Sequence, residues 1–233
     1  MNIIPKKKWG QNFLLDNNII KKIIALIKTD KIENVLEIGP GKGALTKQLS
    51  LKFKNVYAVE IDSELCKYLQ LLDIPNLKLF NLDVLKFDLH LVSPDILIIG
   101  NLPYNISSPI IFKFLNNLTW SKMVIMLQHE VAKRIAAKAG NKDYGRISIM
   151  TQSLCTVKYE FKISPHVFTP KPKVNSAVIS LIPKPNIDFD FKLLEYIVSK
   201  SFKHRRKKLS NNLKGIIPNK DLDKIKDNRA EEL

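Results

Sequence analysis

The stretch Val35-Leu36-Glu37-Ile38-Gly39-Pro40-Gly41-Lys42-Gly43-Ala44-Leu45-Thr46 decides the fold. An apolar run enters a glycine-rich loop, and a helical pattern leaves it. Glycines let a backbone turn tightly and approach a ligand closely. The start of the helix then offers N–H groups without intrahelical partners. Outward from this unit the same alternation repeats. Strands are expected near 34–38, 55–60, 77–80, 95–100 and 122–127, with helical segments between them. Such alternation predicts an α/β chain with a doubly wound, Rossmann-like parallel sheet. Asp16 is placed to cap a helix running through Lys28, whose apolar face is Ile19, Ile20, Ile23, Ile24 and Ile27. Ser107-Ser108-Pro109 reads as another helix start. Two further strands, near 156–162 and 175–182, are close enough in sequence to pair antiparallel. Pro183-Lys184-Pro185 breaks the pattern and predicts a boundary. Residues 1–183 form the expected cofactor and catalytic domain. Residues 184–233 form a small basic helical domain, with helices near 190–202, 205–214 and 219–227.

The glycine loop alone is ambiguous. Gly39-x-Gly41-x-x-Ala44 satisfies the relaxed dinucleotide fingerprint. Gly39-x-Gly41-x-Gly43 suits S-adenosylmethionine, which has no pyrophosphate to cradle. The residues that follow the next strands decide between them. Glu60 ends the second strand and is placed to accept from ribose hydroxyls. Asp83 follows the third and can accept the adenine amine of a nucleoside cofactor. Asn101-Leu102-Pro103-Tyr104 follows the apolar run Ile96-Leu97-Ile98-Ile99, where a buried strand ends and a crevice opens.

That last motif suits methylation of an exocyclic adenine amine. The amine is a poor nucleophile, because its lone pair is delocalised into the ring. Acceptors that hold its protons let the lone pair turn toward an electrophilic methyl. Asn101 brings a side-chain carbonyl, and the backbone of Leu102 brings a second acceptor. Pro103 fixes the turn and biases Leu102 toward an extended conformation. Tyr104 offers a flat face for the base, and such stacking contributes roughly 1–3 kcal/mol. Asp83 and Asn101–Tyr104 together favour S-adenosylmethionine.

The chain resembles the KsgA-type adenine dimethyltransferases of small-subunit ribosomal RNA. The resemblance rests on Lys8-Trp9-Gly10-Gln11-Asn12-Phe13-Leu14, Glu37–Thr46, Val59-Glu60-Ile61-Asp62 and Gly100–Ser107. It continues through Gln128, Glu130, Val131 and Arg134, then Tyr144–Ser148, Phe168–Val178 and Phe202–Leu209. It implies a class I methyltransferase sheet. It also implies a cofactor site at Asn12, Leu14, Gly39, Glu60, Asp83 and Asn101, with Gly41 from the loop reading beside them. The target base would lie against Asn101–Tyr104 and the aromatic ring of Phe168. The expected target is two adjacent adenines in a hairpin near the 3′ end of small-subunit rRNA. His129 and Asn175 depart from the family pattern, which often has Lys or Arg and Asp there. His129 reads as a helix-surface residue. The family usually continues past Asn228–Leu233 with another helical segment, so the C-terminal domain is expected to be either naturally reduced or truncated.

Composition fits a polyanionic partner. The 233 residues carry 38 Lys and Arg against 22 Asp and Glu, a formal charge of +16. Lys and Asn enrichment from an AT-rich genome contributes to that excess. The clustering is more telling. Lys6-Lys7-Lys8 and Lys21-Lys22 lie toward one end, and Lys200, Lys203, Arg205, Arg206, Lys207 and Lys208 toward the other. On a helix, Lys203, Arg206 and Lys207 share a face, predicting a phosphate-contacting patch. Cys66 and Cys155 are isolated, as expected of reduced cytoplasmic thiols. No metal site, signal peptide or membrane span is expected. The expected partner is the small ribosomal subunit, engaged by a monomer. Three other readings remain: a large-subunit methyltransferase of the macrolide-resistance type, a non-catalytic ribosome-assembly factor, and an NAD-dependent dehydrogenase.

Overall fold

The computed structural model describes residues 3–27, 32–92, 95–204 and 206–232. The chain packs as two compact units, one of residues 1–132 and 158–183, the other of residues 133–157 and 184–233.

The first unit is built on a seven-stranded sheet. Its members in chain order are β2 (Asn34–Ile38), β3 (Asn55–Glu60), β4 (Leu77–Asn81), β5 (Ile96–Asn101), β6 (Trp120–Gln128), β7 (Cys155–Ile163) and β9 (Ser176–Pro183). The spatial order is β4-β3-β2-β5-β6-β9-β7. The first five strands are parallel, and β9 runs antiparallel to β6. Each parallel connection has a helix or 3-10 turn to carry the chain back. These include α2 (Thr46–Ser50), α3 (Ser63–Gln70) and α4 (Ser107–Leu115). Parallel strands covered on both faces need near-continuous apolar runs. Ile96, Leu97, Ile98 and Ile99 of β5 are each at most 1% exposed. Each such side chain contributes roughly 1.5–3 kcal/mol by leaving water. Gly100 interrupts that run for a steric reason. A Cβ there would stand 2.5 Å from the Ile38 carbonyl oxygen of the neighbouring strand.

The helix α1 (Asn17–Ala25) starts where the sequence reading puts it. Asp16 accepts from the N–H groups of Asn18 at 2.8 Å and Ile19 at 3.0 Å. Ile20, Ile23, Ile24 and Ile27 are buried, with Ile19 packed against the same cluster. The predicted end at Lys28 lies outside the described residues.

A two-stranded antiparallel ribbon pairs β1 (Phe13–Leu14) with β8 (Phe168–Thr169). Phe13 faces Thr169 and Leu14 faces Phe168. Neither strand is long enough to leave a periodic signal, and sequence reading does not find them.

The second unit contains the second half of α5 (His129–Ala136), from Lys133 on, with α6 (Arg146–Leu154), α7 (Phe191–Ser201), α8 (Leu209–Leu213) and α9 (Asn219–Lys224). Sequence reading puts residues 133–157 with the sheet, but they pack with residues 184–233. Ser148 Oγ donates to the Arg134 carbonyl, Gln152 Nε2 donates to those of Ile135 and Ala137, and Arg146 pairs with Glu195 of α7 at 2.7 Å. Leu209, Leu213, Leu222 and Ala230 form a small core of their own. The expected helix over 205–214 is shorter than predicted. Between α7 and α8 the chain turns, and Lys208 is extended at the start of α8. Lys203, Arg206 and Lys207 therefore share an exposed turn, not a helix face. Arg205 lies outside the described residues. No helix of the described residues is long and apolar enough to cross a membrane.

Candidate active site

Parallel strands deliver all their carboxyl ends to one side, and a crevice opens where the strand order reverses. Here the reversal falls between β2 and β5, which are hydrogen-bonded neighbours although β3 and β4 intervene in sequence. A cleft of about 390 Å³ occupies this position. It is lined by Gly39 and Gly41 after β2, Glu60 at the end of β3, Asp83 after β4, and Asn101–Tyr104 at the end of β5. Asn12 and Leu14 line it from the N-terminal segment. The cleft thus gathers all the cofactor and catalytic residues expected from sequence. Glu37, Trp9 and Gln11 join them.

Gly41 sits at φ 58°, in the left-handed region that glycine tolerates. A Cβ there would come within 3.0 Å of the Phe13 ring. Its N–H donates to Glu60 Oε2 at 3.2 Å, while the Asp62 N–H donates to Oε1 at 2.9 Å. Each carboxylate oxygen keeps a lone pair for a further donor. Burial raises the Glu60 carboxyl above its ordinary pKa, and the backbone N–H groups of Asp62, Gly41 and Ile61 oppose that rise. Asp83 accepts from the Leu85 N–H at 2.9 Å, which fixes its direction at the cleft edge.

Asn101 Nδ2 donates to the backbone carbonyl of Asn12 at 2.8 Å. That bond orients the amide, because the reverse orientation would set two oxygens against each other. The side-chain carbonyl accepts no hydrogen bond among the described residues. Leu102 is 1% exposed, and its N–H is bound to the Met126 carbonyl at 2.9 Å. Its own carbonyl takes no hydrogen bond among the described residues. Tyr104 is held at its far end by the hydroxyl of Ser176, 2.5 Å away on β9. Burial raises the Tyr104 phenol above its ordinary pKa, so it remains protonated at neutral pH.

Phe168, expected against the target base, lies in the core. It is 3% exposed and packs in the core with Leu14, Ile20 and Ile163. It is not among the residues lining the cleft. Pairing with Leu14 across the ribbon turns its ring inward, so its part here is to hold the N-terminal segment.

Sequence reading also missed Glu37 as a site residue. It is 1% exposed, lines the cleft, and accepts from Thr46 Oγ1 at 2.6 Å. Burial pushes its carboxyl up to about 8. The available signal was a lone acid inside an otherwise apolar strand. Ser176 left no such signal, since a serine in a strand has many ordinary uses.

The donor set fits S-adenosyl-L-methionine. Glycines bring backbone against the ligand, Glu60 and Asp83 supply acceptors for a nucleoside, and Glu37 and Glu60 suit a cationic sulfonium. Residues 4–232 match the family described as Ribosomal RNA adenine dimethylase.

This chain belongs to the ribosomal RNA adenine dimethylase family.

Its relatives agree. The chain is 46% identical over 219 residues to Ribosomal RNA small subunit methyltransferase A of Legionella pneumophila (strain Corby), covering 91% of this chain and 86% of that one. It is 42% identical over 222 residues to the protein of the same name from Malacoplasma penetrans (strain HF-2), covering 94% and 81%. Among solved structures, a dimethyladenosine transferase from Plasmodium falciparum is similar with TM-score 0.76 and 31% identity, over 92% of this chain and 78% of that one. The 23S rRNA methyltransferase ErmE is similar with TM-score 0.72 and 28% identity, over 91% and 88%. The chain is an S-adenosyl-L-methionine-dependent methyltransferase of ribosomal RNA adenines, with a class I methyltransferase sheet.

Proposed function

We propose that this chain dimethylates the exocyclic amines of two adjacent adenines in a hairpin near the 3′ end of small-subunit rRNA. It would act in the cytoplasm, as a monomer, on the small ribosomal subunit. The observation that carries the reading is the oriented Asn101 amide. Its Nδ2 is engaged by Asn12, its oxygen remains as an acceptor, and Leu102 lines the same cleft. When bound, S-adenosyl-L-methionine supplies an electrophilic methyl on a cationic sulfur. Gly39, Gly41, Glu60 and Asp83 would hold its nucleoside end, with Asn12 and Leu14 covering it from the N-terminal segment.

Asn101 and Leu102 would accept the two amine protons, which directs the nitrogen lone pair toward the methyl. Tyr104 would stack on the base and fix its plane, an arrangement worth roughly 1–3 kcal/mol. No strong general base is needed, because the amine proton becomes acidic only as the new C–N bond forms. It can then leave to water. The rate comes from alignment and from preorganised acceptors. The base must be unstacked or lie in a loop to enter the cleft. Lys203, Arg206 and Lys207 are exposed and are assigned to RNA phosphates, together with Arg205.

The test is mass mapping of methylated adenines after incubating the chain with unmethylated small subunits and, separately, with large subunits. Two dimethylated neighbours in small-subunit rRNA are expected. Methylation confined to the large subunit would replace the reading by the macrolide-resistance type. Binding without transfer of labelled methyl would replace it by an assembly factor.

A further inference from the structure

Two residues of the cleft, Glu60 and Asn101, are linked to a carboxylate that lies outside it. Asp62 follows Glu60 by two positions and caps α3, accepting from the Glu64 N–H at 3.0 Å. Its side chain is fully buried, yet it is not among the cleft residues. Both its oxygens reach the N-terminal segment. Lys6 Nζ lies 2.8 Å from Oδ1, and Gln11 Nε2 donates to Oδ2 at 3.0 Å. Gln11 Oε1 in turn accepts the Lys6 backbone N–H at 2.7 Å, so Lys6, Gln11 and Asp62 close a ring. Burial disfavours the Asp62 carboxylate, but Lys6, Gln11 and the Glu64 N–H outweigh it and hold its pKa below the ordinary value.

Two paths lead from this ring into the cleft. The Asp62 backbone N–H donates to Glu60 Oε1, orienting the carboxylate assigned to the cofactor. One residue beyond Gln11, the Asn12 carbonyl accepts from Asn101 Nδ2, orienting the amide assigned to the substrate. We infer that Asp62, with Lys6 and Gln11, is a positioning node that sets Glu60 and Asn101 from one point, so that cofactor acid and amine acceptor are assembled together. This rests on the methyltransfer reading of the cleft. The physical logic is that a buried carboxylate demands its partners. Losing Lys6 leaves Asp62 short of its charged donor. The N-terminal segment then loses an anchor on one side of the cleft, and Asn101 loses a fixed acceptor on the other.

Lys6→Met tests the node, with Lys6→Arg as the conservative control, since Lys6 lines no part of the cleft. Three quantities are read on folded, full-length protein. These are the dissociation constant for S-adenosylhomocysteine, amide exchange over residues 8–14 with that ligand bound, and the single-turnover methyl-transfer rate on unmethylated small subunits at saturating cofactor. Lys6→Met is expected to weaken S-adenosylhomocysteine several-fold, speed exchange in 8–14, and slow single turnover about tenfold, because misplacement of an aligned group costs rate. Lys6→Arg is expected to restore all three to within about twofold, since guanidinium keeps the ion pair. A staple serving stability alone would lower the melting temperature and leave all three unchanged per folded molecule, which overturns the inference. If wild type transfers no methyl to rRNA, the functional reading fails by itself. The S-adenosylhomocysteine and exchange measurements still decide the node.

Discussion

Asn101 and Asn12, 89 residues apart, are joined by a 2.8 Å hydrogen bond from a side-chain amide to a backbone carbonyl. The bond makes the end of β5 and the N-terminal segment one site. It also gives Asn101 a defined task, since only its oxygen is left to meet an amine. Asn101→Ala removes that acceptor and is expected to cost on the order of 3 kcal/mol in methyl transfer, more than a hundredfold. Cofactor affinity should fall less, because Glu60, Asp83 and the glycine loop remain. Single-turnover rates with saturating cofactor measure the first quantity and calorimetry the second. A near-normal single-turnover rate removes Asn101 from the mechanism.

Glu60→Ala addresses the cofactor side. The carboxylate holds the Gly41 and Asp62 N–H groups and has acceptor capacity left over. Its loss should weaken S-adenosyl-L-methionine without unfolding the sheet, since Glu60 lies at a strand end facing the cleft. Calorimetry and a thermal melt read the two outcomes together. An unchanged dissociation constant counts against the ribose assignment.

Glu37 makes a prediction about pH. Burial raises its carboxyl from 4.5 to about 8. Between those values the folded chain holds a proton that the unfolded chain has released. Its contribution to stability is therefore fully present below about pH 4.5 and is lost as pH rises through about 8. A cationic ligand in the cleft favours the ionised form, so binding should expel this proton. Cofactor affinity is then expected to rise with pH up to about 8 and to flatten above it. Glu60 also faces the cleft with a raised pKa, and the variant Glu37→Gln separates the two. Titrations in buffers of different ionisation enthalpy count the protons released. A slope that survives intact in Glu37→Gln assigns the effect to Glu60.

The sheet was legible because its strands are long apolar runs followed by polar breaks. Observed strands begin or end within two residues of the expected ones, as at Asn34–Ile38 and Asn55–Glu60. The cleft was legible for a related reason: Glu60, Asp83 and Asn101 each stand at or just after the end of a parallel strand, where topology alone brings them together. What escaped depends on contacts between distant segments. The ribbon of Phe13–Leu14 with Phe168–Thr169 is two residues long on each side, and it turned Phe168 from an expected base platform into core. The Lys6–Asp62 pair joins residues 56 positions apart, and nothing in either neighbourhood announces the other. The extended backbone at Lys208 ends a helical pattern that charge spacing suggested.

The exposed turn between α7 and α8 carries the last prediction. Lys203, Arg206 and Lys207 are exposed there, whereas Lys208 is paired with Asp227 at 2.8 Å. Lys208 is therefore left unchanged, and the variant is Lys203→Gln, Arg206→Gln and Lys207→Gln together. It should weaken binding to unmethylated small subunits and leave cofactor affinity as it was, since none of the three lines the cleft. Each phosphate contact releases condensed counterions, which makes log affinity fall with log salt. Losing a contact should flatten that slope by up to ~0.9, the value for B-form duplex DNA, and by ~0.7 on a single strand. Three lost contacts would flatten it by about 2 to 3 in all. Charges that merely solvate the turn would leave the slope fixed. Particle binding measured across a salt series for wild type and variant separates the two, and parallel lines would dismiss the phosphate contacts.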